Sequence, residues 1–441
     1  MNTENATSAA SEVAMRTANT LINEKKLSAA AALLDEVADS VQADPRYHLL
    51  RTNLAEALGQ AQEALASAYM AVEKAPAWPP AVLHLALLLA RQNQFSQAIV
   101  QAKKVVSMAP DDSVVLHKAI EIAHRAQQLP LAVKWLTRVI QLEPHNRDSQ
   151  RLLANDLSTL GEIDKAIALL DILLETDDGD TKARQTRAHA YQAAGKLEKA
   201  LQDWNKLLVH QPGNVTWQYY RELALGHTPP TQPTQMVGEL FDGLANRFDA
   251  HLVKNLQYRL PQHVAALLIE WHPDRNFSLL DLGCGTGLLG EFLGPINGDM
   301  VGIDVSSKML EQAARHGVYD QLHHVAILDM LESASNNCYQ SVAALDVFIY
   351  VGILEQIIPQ IHRILTPGGR LVFSCERAGE NENNVVLRPS GRYAHRQTHI
   401  NALCQKAGFM RTEIQEIDVR LEGGTPVKGF LVVAQKYENP T

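Results

Sequence analysis

The chain has 441 residues, more than one ordinary hydrophobic core accommodates, so two domains are expected. Its composition, 46% hydrophobic and 20% charged, is that of a soluble globular protein. A formal net charge of −9 argues against a general nucleic-acid binder, and no apolar run approaches the roughly 18 residues of a membrane span.

The opening MNTENATSAASEVAMRT lacks the basic-then-apolar layout of a secretory signal. From about residue 11 to 213 the chain then repeats every 34 residues. Ala30, Ala64, Ala98, Ala132, Ala166 and Ala200 form one column, and Pro76, Pro110, Pro144 and Pro212 form another, with Asp178 in the missing slot. Five residues before each Ala stands Lys25, Gly59, Asn93, Gln127, Gly161 or Gly195. Within a unit, stripes such as AVLHLALLLA and FSQAIVQAKKVV flank a polar break, so each unit reads as two antiparallel helices. The small Ala permits close helix approach, the Gly or Asn before it tolerates left-handed φ at the inner turn, and the Pro stops the second helix. A helix pair cannot bury its apolar face alone, so the units stack into an α solenoid.

This period and these columns resemble the tetratricopeptide repeat family, over about six units. Only Tyr191 fits the family's first-helix aromatic, and Pro45 comes three residues late in the first unit. The resemblance implies a concave surface for a protein or peptide partner. A solenoid that dimerises the chain or supports the second domain is the other reading.

After Pro212 the period fails. Residues 214–235 read as a linker: GNVTWQYYRELAL suits a capping helix, and HTPPTQPTQ suits an extended, semi-stiff connection. Residues 236–437 form the second domain. FSLLDLG, DMVGIDVS, HHVAILD, SVAALDVFIYV and LVFSCE read as strands, with LLGEFL, SKMLEQAARHG, ILEQIIPQIHRIL and THINALCQKAGF as helices. TPGGR reads as a turn, and TEIQEIDVR and GFLVVAQK as a closing antiparallel hairpin. Alternating strand and helix predicts an α/β, Rossmann-like, doubly wound, mostly parallel sheet, with its ligand beyond the C-terminal strand ends. The four cysteines, Cys284, Cys338, Cys375 and Cys404, show no CxxC and no metal spacing, so reduced thiols in a cytoplasmic protein without a metal are expected.

The glycine loop in LLDLGCGTGLLGEFL lies beyond the first of those strand ends. Gly283, Gly285 and Gly287 are followed by Leu288, which departs from the G-x-G-x-x-G of a dinucleotide site, and no Gly-Lys-Ser/Thr follows. Asp281-Leu-Gly-Cys-Gly-Thr-Gly resembles the class I S-adenosylmethionine-dependent methyltransferases. The resemblance implies S-adenosylmethionine as cofactor. Asp281 would lie near its ammonium, and Asp304, ending the second strand, would take the ribose hydroxyls. Asp329, ending the third strand, would take the adenine amino group, with a backbone donor at Met330 and with Met309 or its neighbours packed on the ring. LFDGLANRFDAHLVKNLQYRLP and SGRYAH are similar to segments of a bacterial subgroup in which the methyltransferase domain follows repeats. This implies that Phe241, Phe248 and Tyr258 cover the cofactor, and it leaves His399 where a Tyr is expected.

Methyl transfer requires positioning and an unprotonated acceptor. The candidates are His395 and Asp346 as base, with Tyr393 and Tyr350 shaping the pocket. Glu376 is expected to pair with Arg392. The fourth strand end is not Asn-Pro-Pro-Tyr/Phe, which counts against a nucleobase or glutamine-amide acceptor. Three functions stay open: methylation of a protein side chain recruited by the solenoid, methylation of a small molecule, and a non-catalytic cofactor-binding scaffold.

Overall fold

The computed structural model describes residues 2–245, 258–422 and 424–437, with side chains from residue 10 onward. It divides into two compact units, Met1–Leu207 and Leu208–Thr441.

The first unit is built from six helix pairs: α1 (Asn2–Asn23) with α2 (Leu27–Val41), α3 (Pro45–Ala57) with α4 (Ala61–Lys74), α5 (Pro79–Arg91) with α6 (Phe95–Met108), α7 (Ser113–Arg125) with α8 (Leu129–Leu142), α9 (Arg147–Thr159) with α10 (Ile163–Thr176), and α11 (Thr181–Ala193) with α12 (Leu197–His210). All six column alanines are fully buried. All six residues of the preceding column, glycine or not, have left-handed φ between +55° and +80°. The next residue's N–H closes each turn onto the first helix, from Lys26 N to Leu21 O through Lys196 N to Tyr191 O, at 2.8–2.9 Å. Ala75, Ala109 and Glu143 precede the column prolines and leave helical geometry at φ −140°, −136° and −126°, because the proline ring clashes with an α conformation before it. A further column emerges at the helix starts. Asp44, Asp112, Asn146, Asp180 and Asn214 each accept a backbone N–H from the first turn, and Trp78 fills the remaining slot.

The expected boundaries move. The first helix starts at Asn2 rather than near residue 11, and the division falls inside α12 rather than after residue 213. The expected linker 214–235 belongs to the second unit. It forms α13 (Val215–Ala224) and a bonded strap that leads into α14 (Thr234–Leu244). The Pro230 carbonyl accepts from Gly352 and Ile353, both at 2.9 Å, and Gln232 N donates to Tyr350 O at 3.1 Å. Proline-rich backbone stays extended, which presents its carbonyls to a neighbouring edge.

The remaining elements are α15 (Leu260–Trp271), β1 (Leu279–Leu282), α16 (Leu288–Leu293), β2 (Met300–Asp304), α17 (Ser307–Ala313), β3 (Gln321–His324), α18 (Ile327–Ser333), β4 (Tyr339–Ala344), α19 (Ile357–Ile364), β5 (Leu365–Arg377), β6 (Val385–Leu387), β7 (Tyr393–His395), α20 (Gln397–Ala407), β8 (Phe409–Glu422) and β9 (Thr425–Lys436). The sheet order is β3-β2-β1-β4-β5, with β1 to β5 parallel. β9 pairs antiparallel to β5 and to β8, the expected closing hairpin. Alternate residues of β5 serve two cores: Leu371 and Phe373 pack with α19 and α20 residues such as Ile361 and Ile400, and Val372 packs with α15 residues such as Val264 and Leu268. The second unit is therefore the expected doubly wound α/β sheet.

Two local expectations are corrected, and one further strand appears. β3 stops at His324, and the rest of HHVAILD turns into α18. β4 stops at Ala344, because Asp346 takes φ +59° and bends the chain into a 3-10 turn over Phe348–Tyr350. SGRYAH forms β7, which pairs with β6 and with the last two residues of β5, Glu376 and Arg377. β9 already occupies one edge of β5 at Glu376, so β7 lies along the edge that β4 uses lower down.

Candidate functional site

The glycine loop begins where β1 ends. Gly283, Gly285 and Gly287 have φ +66°, +56° and +86°, a run of left-handed residues that side chains oppose. A Cβ on Gly283 would lie 2.5 Å from the Val347 side chain. Cys284, the residue between the first two glycines, is buried and donates its N–H to Ile303 O at 2.8 Å, which locks the loop onto β2.

Two buried carboxylates flank this loop. Asp281, 3% exposed, accepts from the Tyr319 hydroxyl at 2.7 Å. Burial pushes its carboxyl up to about 7, against the lowering effect of Tyr319 and with a further push from Asp304. Asp304, 8% exposed, accepts Gly285 N on Oδ2 at 3.0 Å and Ser306 N on Oδ1 at 2.8 Å. Burial raises its pKa, and the backbone donors oppose that rise. A third backbone bond, from Val305, also falls on this carboxylate, which leaves about one of its four acceptor sites for a hydroxyl donor. Two buried acids beside the loop suit a ligand with a cationic end and a diol, and they oppose a phosphate.

The adenine side departs from expectation. Asp329 does not end a strand. It is exposed in the first turn of α18, where the helix dipole favours an acid. Val325 follows the strand end, and Ala326 caps that helix. The Met330 N–H is spent on Ala326 O at 3.1 Å inside the helix. Met309 is fully buried in α17, with its N–H on Ser306 Oγ at 3.1 Å, so its side chain presents no surface to a ligand.

Beyond β4 lies a second charged group. Both oxygens of Asp346 accept from Arg420 Nη1, at 3.0 Å each, and Asp346 N donates to Ser374 Oγ at 2.8 Å. Arg420 on β8 is 4% exposed and also bridges to Glu376. Burial raises Asp346, with Arg420 opposing it, and the two acids hold Arg420 above its ordinary value despite burial. Asp346 is therefore a clamped ion-pair member rather than a free base. Glu376 pairs with Arg420, not with Arg392, whose guanidinium goes to Glu422 at 2.9 and 3.0 Å and to Tyr350.

His395 is fully buried, and its Nε2–H points to the Phe348 carbonyl at 3.3 Å. Burial lowers its pKa to about 4, so it is neutral near neutral pH. It supports the turn after Asp346 and does not open onto the surface. Tyr393 is fully buried too, and its hydroxyl donates to Pro229 O at 2.8 Å and bonds the Tyr219 side chain. That hydroxyl anchors the strap. His399 on α20 pairs with Glu355 at 3.4 Å. Tyr258 is buried, and its hydroxyl is held well above its ordinary pKa by burial, by Asp346 and by Asp281, so it senses both halves of the site. Phe241 packs edge-on against Tyr350 at 5.4 Å between ring centroids, and Phe248 lies outside the described residues.

Tyr319, Arg420 and Asp242 were not anticipated. Arg420 stands in IDVR with buried Val419 beside it, so no local period separates it from an exposed strand residue. Among the described residues, no group of three or more His, Cys, Asp or Glu is placed to hold a metal, and no helix is long and apolar enough to cross a membrane.

Residues 280–371 match a family model described as a methyltransferase domain. A mitochondrial ubiquinone biosynthesis O-methyltransferase of Mus musculus is 34% identical over 112 residues, which is 23% of this chain and 30% of that protein. A demethylmenaquinone methyltransferase of Symbiobacterium thermophilum is 26% identical over 167 residues, 36% of this chain and 66% of that protein. The chain thus spans less than two thirds of the length of these relatives. Among solved structures, a magnesium protoporphyrin IX methyltransferase from Synechocystis PCC 6803 with bound S-adenosylhomocysteine aligns at 17% identity and TM-score 0.36, covering 46% of this chain and 99% of that one. YrrB, a TPR protein with an unusual peptide-binding site, aligns at 19% identity and TM-score 0.36, covering 44% of this chain and 96% of that one.

Proposed function

We propose that this chain, a class I S-adenosylmethionine-dependent methyltransferase preceded by tetratricopeptide-like repeats, methylates a protein side chain recruited by its solenoid. The observation that carries the cofactor reading is the run of three left-handed glycines set between buried Asp281 and Asp304. Bound S-adenosylmethionine supplies an electrophilic methyl group; the acceptor's lone pair forms the new bond, sulfur keeps the old bonding pair, and the acceptor's proton leaves to solvent or a base.

The residues divide this work. Asp304 accepts a ribose hydroxyl, a charge-assisted bond contributing about 1.5–3 kcal/mol. Asp281 meets the ammonium. Arg420, by clamping Asp346, sets the turn that carries Tyr350, and Tyr258, Tyr350 and Phe241 exclude water from the acceptor side. Among the described residues of this group no free general base stands, and an acceptor that arrives deprotonated, or loses its proton on desolvation, suits them.

The six-unit solenoid supports a macromolecular acceptor, since its stacked helix pairs offer an extended surface that small-molecule chemistry does not require. We place the protein in the cytoplasm, with a protein or peptide partner and without nucleic acid. A second reading, a small-molecule acceptor, is favoured by the names of the two relatives above, one a ubiquinone biosynthesis O-methyltransferase and the other a demethylmenaquinone methyltransferase. Labelled cofactor added to a cell lysate with the full chain separates them: label in protein supports the first, label in small molecules the second, and label in neither indicates a binding scaffold. The cofactor reading has its own test. Asp304→Ala should abolish measurable binding of S-adenosylmethionine by calorimetry while the fold is retained, and unchanged affinity would overturn it.

A further inference from the structure

One helix, α14, touches both the Asp304 strand end and the turn beyond Asp346. At Gly238, α14 lies so close to the strand-end backbone that an added Cβ would fall 2.7 Å from the Val305 carbonyl oxygen. One turn on, Asp242 Oδ1 accepts from Ser306 Oγ at 2.6 Å and from Lys308 N at 3.3 Å. Ser306 is the residue whose own N–H holds Asp304 Oδ1 and whose hydroxyl oxygen caps α17 through Met309 N. The neighbouring Phe241 packs on Tyr350, in the turn beyond Asp346. A chain of contacts thus runs from the glycine loop through Asp304, Ser306 and Asp242 to α14, and from α14 to the acceptor side.

We infer that Asp242 is a positioning residue for the cofactor: by holding Ser306 it fixes the backbone that aims Asp304, and it fastens α14 to that strand end. The inference rests on the S-adenosylmethionine reading. The Asp304 carboxylate binds a diol well only if its two oxygens are already oriented, and a Ser306 hydroxyl without an acceptor no longer pins that backbone. Asp242 does not touch the reacting atoms, so its effect belongs in cofactor affinity rather than in the transfer step.

The test is calorimetric binding of S-adenosylhomocysteine to the full chain. Asp242→Ala should weaken Kd by about tenfold or more, and Asp242→Asn, which keeps an acceptor oxygen for Ser306, by no more than about threefold. Ser306→Ala should match Asp242→Ala, and the double variant should be no worse than either single one, a non-additivity that general destabilisation does not produce. Wild-type affinity in Asp242→Ala, or additive losses in the double variant, overturns the inference. Absence of binding by the unaltered chain overturns the cofactor reading instead. If Asp242→Ala fails to fold, Ser306→Ala and Asp242→Asn decide the question by the same limits.

Discussion

Tyr319 donates its hydroxyl proton to Asp281 Oδ2 at 2.7 Å, and the same hydroxyl oxygen accepts from Gly290 N at 3.3 Å. One side chain thereby joins the end of β1 to the first turn of α16, and it partly offsets the burial that pushes Asp281 up to about 7.

A pH dependence follows. Between the ordinary carboxylate value of 3.8 and about 7, the folded chain holds a proton on Asp281 that the unfolded chain has lost. Its contribution to stability therefore falls as pH rises through that window. A cationic ligand end beside Asp281 favours the carboxylate, so cofactor binding should release a proton below about pH 7, and affinity should rise as pH approaches 7. Calorimetry near pH 6 in buffers of different ionisation heat should show that release, and Asp281→Asn should remove it. Equal heats in all buffers would remove Asp281 from the ligand.

Arg420→Met leaves Asp346 and Glu376 buried without their shared guanidinium. Breaking a buried pair of this kind costs about 3–5 kcal/mol, to be read from urea unfolding of the second unit's transition. Adding Asp346→Asn should recover part of the loss, because it removes one of the two stranded charges. A loss below about 0.5 kcal/mol would mean that water reaches the cluster and screens it.

The repeat turns give a test with opposite signs. Gln127 holds φ +55° where three other units use glycine. Gln127→Gly should stabilise the solenoid by about 0.5–1 kcal/mol, since it relieves left-handed strain at a modest entropic cost. Gly161→Val, at φ +80°, should destabilise it by at least about 1 kcal/mol. Denaturant midpoints moving in the same direction would contradict the turn geometry.

Tyr393→Phe deletes the bond to Pro229 O and leaves that carbonyl without its donor. The expected cost is about 1–3 kcal/mol in thermal or urea unfolding, with turnover falling no more than a few-fold. A loss above about a hundredfold at unchanged stability would return Tyr393 to the reaction.

The solenoid was legible because each of its signals is local. The buried alanine column, the left-handed turns and the proline stops all act within a turn or two of the chain, so spacing alone reports them. The glycine loop and Asp304 were legible for the same reason, as strand-end features of an alternating pattern. Asp329 misled because an apolar run continued past β3: VAIL suits a strand or a short helix equally, and the edge position of β3 decided for the helix.

By itself the sequence determined the 34-residue repeat, the doubly wound sheet and the acids that frame the glycine loop, all set by periodicity and by backbone chemistry. Only the tertiary structure decided what the remaining polar groups do. Asp346 meets an arginine 74 positions away, Asp242 a serine 64 away, and Tyr393 a carbonyl 164 away. Such pairings depend on strand register and helix docking, which no local spacing encodes, and here they put Asp346 in an ion-pair clamp and Tyr393 at a strap anchor.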